Sequence, residues 1–254
     1  MSSKIVKYYH ECGSMFITID WDFFFKYNKI WDFGHNSSAV FTGILWLQRD
    51  ATHKVNTDRW LRDIYKPDQN LIDQINKMLL FSLHEKTMLS VVQDHRNALR
   101  YIPKGETVVV NFDAHWDVQY NAPLDSKKEP IDENWIGHWL LEDKSRKAII
   151  VYSPYSIEDV SVESDVDERI KDRIEIWSWD EWKEEVGLLV KADHINYCAS
   201  PGWCPPWGDN DFIKFCNHFG EVCDPKSIRE YDLKAVEEMA KVFAECNRKF
   251  KENR

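Results

Sequence analysis

No apolar run in this chain approaches the roughly 18 residues that a membrane-spanning helix needs, so no membrane partner is expected. No basic, apolar, small-residue leader stands at Met1, and no secretory signal is expected. The six cysteines (Cys12, Cys198, Cys204, Cys216, Cys223 and Cys246) include no C-x-x-C pair. Their spacing fits neither a common zinc module nor a dense disulfide framework, which leaves buried free thiols in a reducing cytoplasm as the simplest account. A clustered basic face is missing as well. Against 33 Lys and Arg stand 43 Asp and Glu, a formal net charge of −10. That balance speaks against nucleic acid and is compatible with a cationic substrate. Internal repeats and low-complexity tracts are absent.

What the chain does contain is enough apolar material, 43% of its 254 residues, for one sizeable core, and residues 1–254 read as a single domain. Twelve tryptophans are many for this length, and Trp21, Trp116, Trp135, Trp203 and Trp207 stand beside polar motif residues, where they either pack or wall a pocket. Short apolar runs at 15–19, 91–92, 107–110, 148–151, 174–177 and 195–198 read as buried strands. Between them, Leu71, Ile72, Ile75, Met78 and Leu79 have the three-four spacing of a helix face, as do Val236, Met239, Ala240, Phe243 and Phe250. Alternating strands and helices predict an α/β fold, a three-layer sandwich with a mainly parallel sheet. The less regular segment 33–68 reads as a lid or a substrate-facing insertion. The acidic stretch 158–172 reads as a solvated loop or short helix.

In such folds ligands bind beyond the carboxyl ends of the strands, and chemistry-bearing residues follow the apolar runs here. Asp20 and Asp22 follow the first, Asp94 and His95 the second, Asp113, His115 and Asp117 the third. In an extended segment Asp113, His115 and Asp117, at i, i+2 and i+4, point to one side. Alone, this motif fits either a metal site or a solvated loop. With Asp20, Asp22 and His95 it becomes a six-ligand set, Asp20, Asp22, His95, Asp113, His115 and Asp117, able to hold two divalent ions with Asp113 and Asp20 as bridging carboxylates. Carboxylates with imidazole favour Mn²⁺, with Zn²⁺ or Fe²⁺ as alternatives. Ions roughly 3.5–4 Å apart can share a hydroxide nucleophile.

Asp113-Ala114-His115-Trp116-Asp117 resembles the signature of the arginase and agmatinase superfamily, and Asp20-x-Asp22 its second carboxylate pair. Four blocks, at 19–24, 91–95, 111–117 and 133–136, are more closely similar to a branch that includes the peptide arginases of ribosomal peptide pathways. The resemblance implies an arginase-like fold and two Mn²⁺ ions per chain. It implies an arginine-containing precursor peptide as partner and conversion of its arginine side chains to ornithine plus urea by a metal-bridging hydroxide. In arginases the Asp-x-Asp pair follows the Asp-Ala-His block, whereas here it precedes it, so a circularly permuted chain is expected.

The leaving amine needs a proton, and His138 is the candidate shuttle because imidazole titrates near neutrality. Glu133, Asn134 and Trp135 of the fourth block, with Asp209, are the candidate substrate-binding residues; a carboxylate among them would accept two parallel N–H bonds from a guanidinium. Ser200 to Pro206 reads as the pocket rim. Three competing readings stay open. A deacetylase or other ureohydrolase would act on a small acyl or guanidino substrate, although the deacetylase His-His pair is missing. A haloacid-dehalogenase-type phosphatase would use Asp20 as nucleophile, but Phe24 stands where that motif carries Thr or Val. A non-catalytic, metal-stabilised module would bind a peptide through its aromatics.

Overall fold

Each apolar run becomes a strand of one parallel sheet. In this computed structural model, which describes residues 15–26, 39–119, 124–125, 127–158, 166–186, 191–224, 229 and 231–252, the strands are β1 (Phe16–Asp20), β2 (Met88–Val92), β3 (Val108–Asp113), β4 (Lys147–Tyr152), β5 (Ile174–Ser178) and β6 (His194–Cys198). Their order is β2-β6-β1-β3-β4-β5, and every pairing is parallel. The near-continuous apolar character of the runs follows from this arrangement, because a parallel strand inside the sheet is covered on both faces.

The described helices are α1 (Ala39–Thr57), α2 (Leu61–Ile64), α3 (Gln69–Ser82), α4 (Trp135–Glu142), α5 (Trp179–Glu185), α6 (Asp209–Cys216) and α7 (Leu233–Glu252). Successive strand residues point to opposite faces, and two apolar clusters result. On one face Ile17, Val110, Val151 and Tyr197 meet Leu71, Ile75 and Met78 of α3, Trp182 of α5 and Phe215 of α6. On the other, Phe16, Val109, Ala148 and Ile150 meet Trp135, Ile136, Trp139 and Leu140 of α4. Each fully buried large apolar side chain stabilises the fold by about 1.5–3 kcal/mol. Helices thus cover both faces, giving three layers. Asp68 starts α3, its carboxylate accepting from the backbone N–H groups of Asn70 and Leu71.

Two expectations change. The described part of segment 33–68 is helical rather than irregular; residues 33–38 lie outside the described residues. One flank of α1 carries Leu47, Ala51 and Val55 against Val236, Met239, Ala240 and Phe243 of α7 in a small separate cluster. Its Trp46 enters the main core and donates to the carbonyl of Pro201. Of the expected α7 face, Phe250 stands 63% exposed instead. The acidic stretch 158–172 falls partly on residues outside those described; its end forms a short 3-10 turn at Lys171–Arg173.

The connection from β1 runs through α3 on one face, and that from β3 through α4 on the other. These two strands are neighbours. Where adjacent crossovers part to opposite faces, a crevice opens beyond the strand ends, and this is where open α/β sheets bind ligands.

Candidate metal centre

The six residues expected as ligands converge in that crevice. Asp20 is the last residue of β1, and Asp22 sits in the 3-10 turn Trp21–Phe24 that follows. Asp113 ends β3, with His115 and Asp117 in the loop beyond. His95 opens the 3-10 helix His95–Arg100 after β2. His95 Nδ1 lies 3.2 Å from Asp20 Oδ2, 3.0 Å from Asp113 Oδ2 and 2.9 Å from Asp117 Oδ2. His115 Nδ1 lies 3.1 Å from Asp22 Oδ2 and 3.6 Å from Asp113 Oδ1. Asp113 therefore turns one oxygen to each imidazole and stands between two compartments. Ligand atoms of His95, Asp113 and Asp117 lie within 4.8 Å of one another, as do those of Asp22, Asp113 and His115.

Four carboxylates out of water repel each other, and the acidities register it. Burial raises Asp20, reinforced by the charge of Asp113. Burial pushes Asp22 well up, with Asp20 and Asp113 adding to it. Burial and then Asp113 take Asp117 up to about 8. For Asp113 burial acts the same way, but hydrogen bonds from His115 and His95 outweigh it and hold the carboxyl below its usual range. Burial works against protonation of both imidazoles; the surrounding carboxylates prevail and raise each well above the ordinary histidine value. A single Nδ1 proton can serve one acceptor, yet three carboxylate oxygens surround His95 Nδ1. The donor set, hard oxygens with one imidazole per compartment, fits a multivalent cation better than it fits a proton.

Neighbouring elements fix these side chains. Asp117 adopts a left-handed backbone (φ 52°), a conformation that costs a non-glycine residue free energy and persists only where its surroundings enforce it. Trp135 supplies part of that enforcement: its Nε1–H donates to Asp117 Oδ2 at 2.9 Å, while the Ile136 N–H donates to the Asp117 carbonyl at 3.1 Å. Gly137 allows the close approach, because a Cβ there would lie 2.2 Å from the Val118 carbonyl oxygen. On the other side, the Ser156 hydroxyl donates to the Ala114 carbonyl at 2.6 Å.

A cavity of about 290 Å³ adjoins the cluster, reaching Asp20, His95, His115 and Asp117 at its floor. Its walls include Asp94, Arg96, Asp132, Glu133 and the turn from Ser200 to Trp203. The Trp203 ring lies 4.6 Å from that of His115. Burial raises the Asp94 carboxyl, with the charge of Asp132 contributing.

Of the expected substrate residues, only Glu133 lines this cavity. Asn134 instead closes a turn, its Oδ1 accepting from the Ile131 N–H, and Trp135 braces Asp117. Asp209 is committed elsewhere: its carboxylate pairs with the Arg229 guanidinium, which also donates to the carbonyls of Pro201 and Cys204. His138 lies on α4 three residues beyond Trp135, off the cavity lining, and burial lowers its basicity. Asp132 and Arg96 went unassigned in the sequence and Asp94 was given no role of its own, although Asp94 and Arg96 flank a candidate ligand at a strand end.

The chain matches no family model, no curated protein and no solved structure. The functional reading therefore rests on the residues themselves. Among them is one that cysteine spacing concealed: Cys198 ends β6 in register with Asp20, within ligand distance of Asp20 and His95. Its thiol is fully buried and its acidity is suppressed, first by burial and then by Asp20. Cys198, Cys204 and Cys216 are free and buried, Cys223 is buried, and Cys246 is free and exposed; Cys12 lies outside the described residues.

Proposed function

We propose that this chain is a two-metal hydrolase of the arginase type that converts arginine side chains in a ribosomally made precursor peptide to ornithine, releasing urea, with Mn²⁺ as its metal. The observation that carries the reading is the placement of Asp113, one carboxylate oxygen toward each of two imidazole compartments. Asp20, His95, Asp113 and Asp117 would hold one ion, and Asp22, Asp113 and His115 the other. Four carboxylates then balance the charge of two divalent ions. When bound, such a pair supplies a water acidified to a nucleophile near neutral pH and a clamp for the charge that develops in the transition state.

The chain's own groups favour a cation in the cavity. Among the described lining residues, Asp94, Asp132 and Glu133 stand beside one arginine, Arg96. A planar guanidinium can lie against Trp203 and donate parallel N–H bonds to a carboxylate. A permuted arginase-like chain agrees with the neighbouring positions of β1 and β3, since their ends meet whichever comes first in sequence.

The test is mass spectrometry of an arginine-containing precursor peptide incubated with purified protein and Mn²⁺, beside free arginine and agmatine. Each conversion should remove the mass of cyanamide from the peptide. No change in any of the three substrates overturns the arginase reading, and phosphate release with Mg²⁺ would favour the phosphatase instead.

A further inference from the structure

One row of the sheet beneath the metal centre is polar. Ser90 of β2, Asn196 of β6, Thr18 of β1 and Asn111 of β3 are register partners across four adjacent strands. Thr18 and Asn111 lie two residues before Asp20 and Asp113, so the row runs about 7 Å below the carboxylates. All four side chains are buried. Polar groups at such a depth destabilise a fold unless they are hydrogen-bonded; Asn111 Nδ2 donates to Asp113 Oδ2 at 3.2 Å, and the other three link up. Thr18 Oγ1 lies 2.8 Å from His95 Nε2 and donates to Asn196 Oδ1 at 3.3 Å. Asn196 Nδ2 donates to Ser90 Oγ at 2.7 Å, and Ser90 Oγ lies 2.7 Å from His194 Nε2.

The chain has a direction. Thr18 has one hydroxyl proton, and Asn196 Oδ1 receives it, so His95 Nε2 must be the donor to Thr18. Ser90 accepts from Asn196 and lies within bonding distance of His194 Nε2, beside the rings of Phe16 and Tyr101. With Nε2 protonated, a neutral His95 carries its lone pair on Nδ1, the nitrogen that faces Asp20, Asp113 and Asp117.

We propose that Thr18, Asn196 and Ser90 are positioning residues that hold His95 as its Nε2–H tautomer, so that Nδ1 presents a lone pair to a cation among the three aspartates. The proposal rests on the two-ion reading above. Reversing the chain, with the Asn196 amide turned over, would put the proton on Nδ1 and block that cation. Partners of this kind behind a ligating histidine set its tautomer and ring orientation, and removing one lowers metal affinity 10- to 100-fold as an order of magnitude.

Two measurements test it. Titration with Mn²⁺, followed by the paramagnetic resonance of the free ion, should give two ions per wild-type chain. Thr18→Val keeps the shape of the side chain and removes the relay; its affinity for one of the two ions should fall about 10- to 100-fold, while Thr18→Ser restores it. In protein labelled with ¹⁵N-histidine and loaded with Zn²⁺, His95 should show a protonated Nε2 and a metal-bound Nδ1. If Thr18→Val does not fold, Ser90→Ala, further along the chain, is read in its place, with a smaller drop expected. Two Mn²⁺ in wild type with unchanged affinity in the variant that folds overturns this proposal alone. A protonated Nδ1 in the Zn²⁺-loaded protein also overturns it. Wild-type protein that takes up no Mn²⁺ overturns the two-ion reading and this proposal with it.

Discussion

A carboxylate's role in this chain follows from what neutralises it. Asp209 and Glu133 look alike in sequence, each beside aromatics and near a helix start, yet the Asp209 carboxylate pairs with Arg229 off the cavity, while Glu133 is part of the cavity wall. Arg229 also reaches the carbonyls of Pro201 and Cys204, so the pair secures the Ser200–Pro206 turn from behind. Asp209→Asn should therefore act on stability and leave the metal centre intact. Losing a charge-assisted bond costs about 1.5–3 kcal/mol, a fall of several degrees in Tm. Mn²⁺ stoichiometry should match wild type. A folded Asp209→Asn variant that has lost an ion would place Asp209 in the site after all. The six candidate ligands stood out in the sequence because charged residues at the ends of apolar runs are conspicuous. Thr18, Ser90, Asn111 and Asn196 did not, since one polar residue inside a short run reads as tolerated rather than arranged. Their signal was parity: each sits on the same face of its strand, and only register aligns them.

Elements carry this parity into position. All six strands overlap the expected runs; the inner strands β6, β1, β3 and β4 are buried along nearly their whole length and so read as near-continuous apolar runs. Helix phase was harder to read. At 100° per residue, Trp135 and His138 project differently from α4, and the one that meets the loop is the tryptophan. The position of Asp117 depends on how near α4 comes, which Gly137 decides. Gly137→Ala places a methyl group 2.2 Å from the Val118 carbonyl oxygen, a backbone atom with little freedom to yield. The helix must back away, stretching both the Trp135 and the Ile136 bonds to Asp117. We expect Mn²⁺ affinity in the His95 compartment to fall at least as far as in a ligand-brace variant, about 10-fold or more. Alanine favours helix over glycine by about 1 kcal/mol, so an isolated helix effect would raise stability. Equilibrium binding alongside thermal melts separates the two; unchanged affinity with a higher Tm would show that Gly137 is a helix residue and nothing more.

At the scale of the whole molecule, folding gathers four buried carboxylates from β1 and β3 and two imidazoles from β2 and β3 into one crevice, in a chain already at net charge −10. No local preference compels this assembly: the ligands come from segments up to nearly a hundred residues apart, and only the sheet order β2-β6-β1-β3 brings them together. Unfolding scatters them, so a divalent ion binds the native state far better than the unfolded chain and must stabilise it by linkage. One ion at 100 times its Kd contributes about 2.7 kcal/mol, and for a domain of this size each kcal/mol moves Tm by about 2–4 °C. Saturating Mn²⁺ should therefore raise Tm by about 5–11 °C for each ion bound, and a chelator should reverse the rise. Asp22→Asn perturbs one compartment and should keep part of the shift. Asp113→Asn, which touches both, should abolish most of it. Equal shifts in the two variants would mean that Asp113 does not stand between two ions, and no shift in wild type would remove the metal centre altogether.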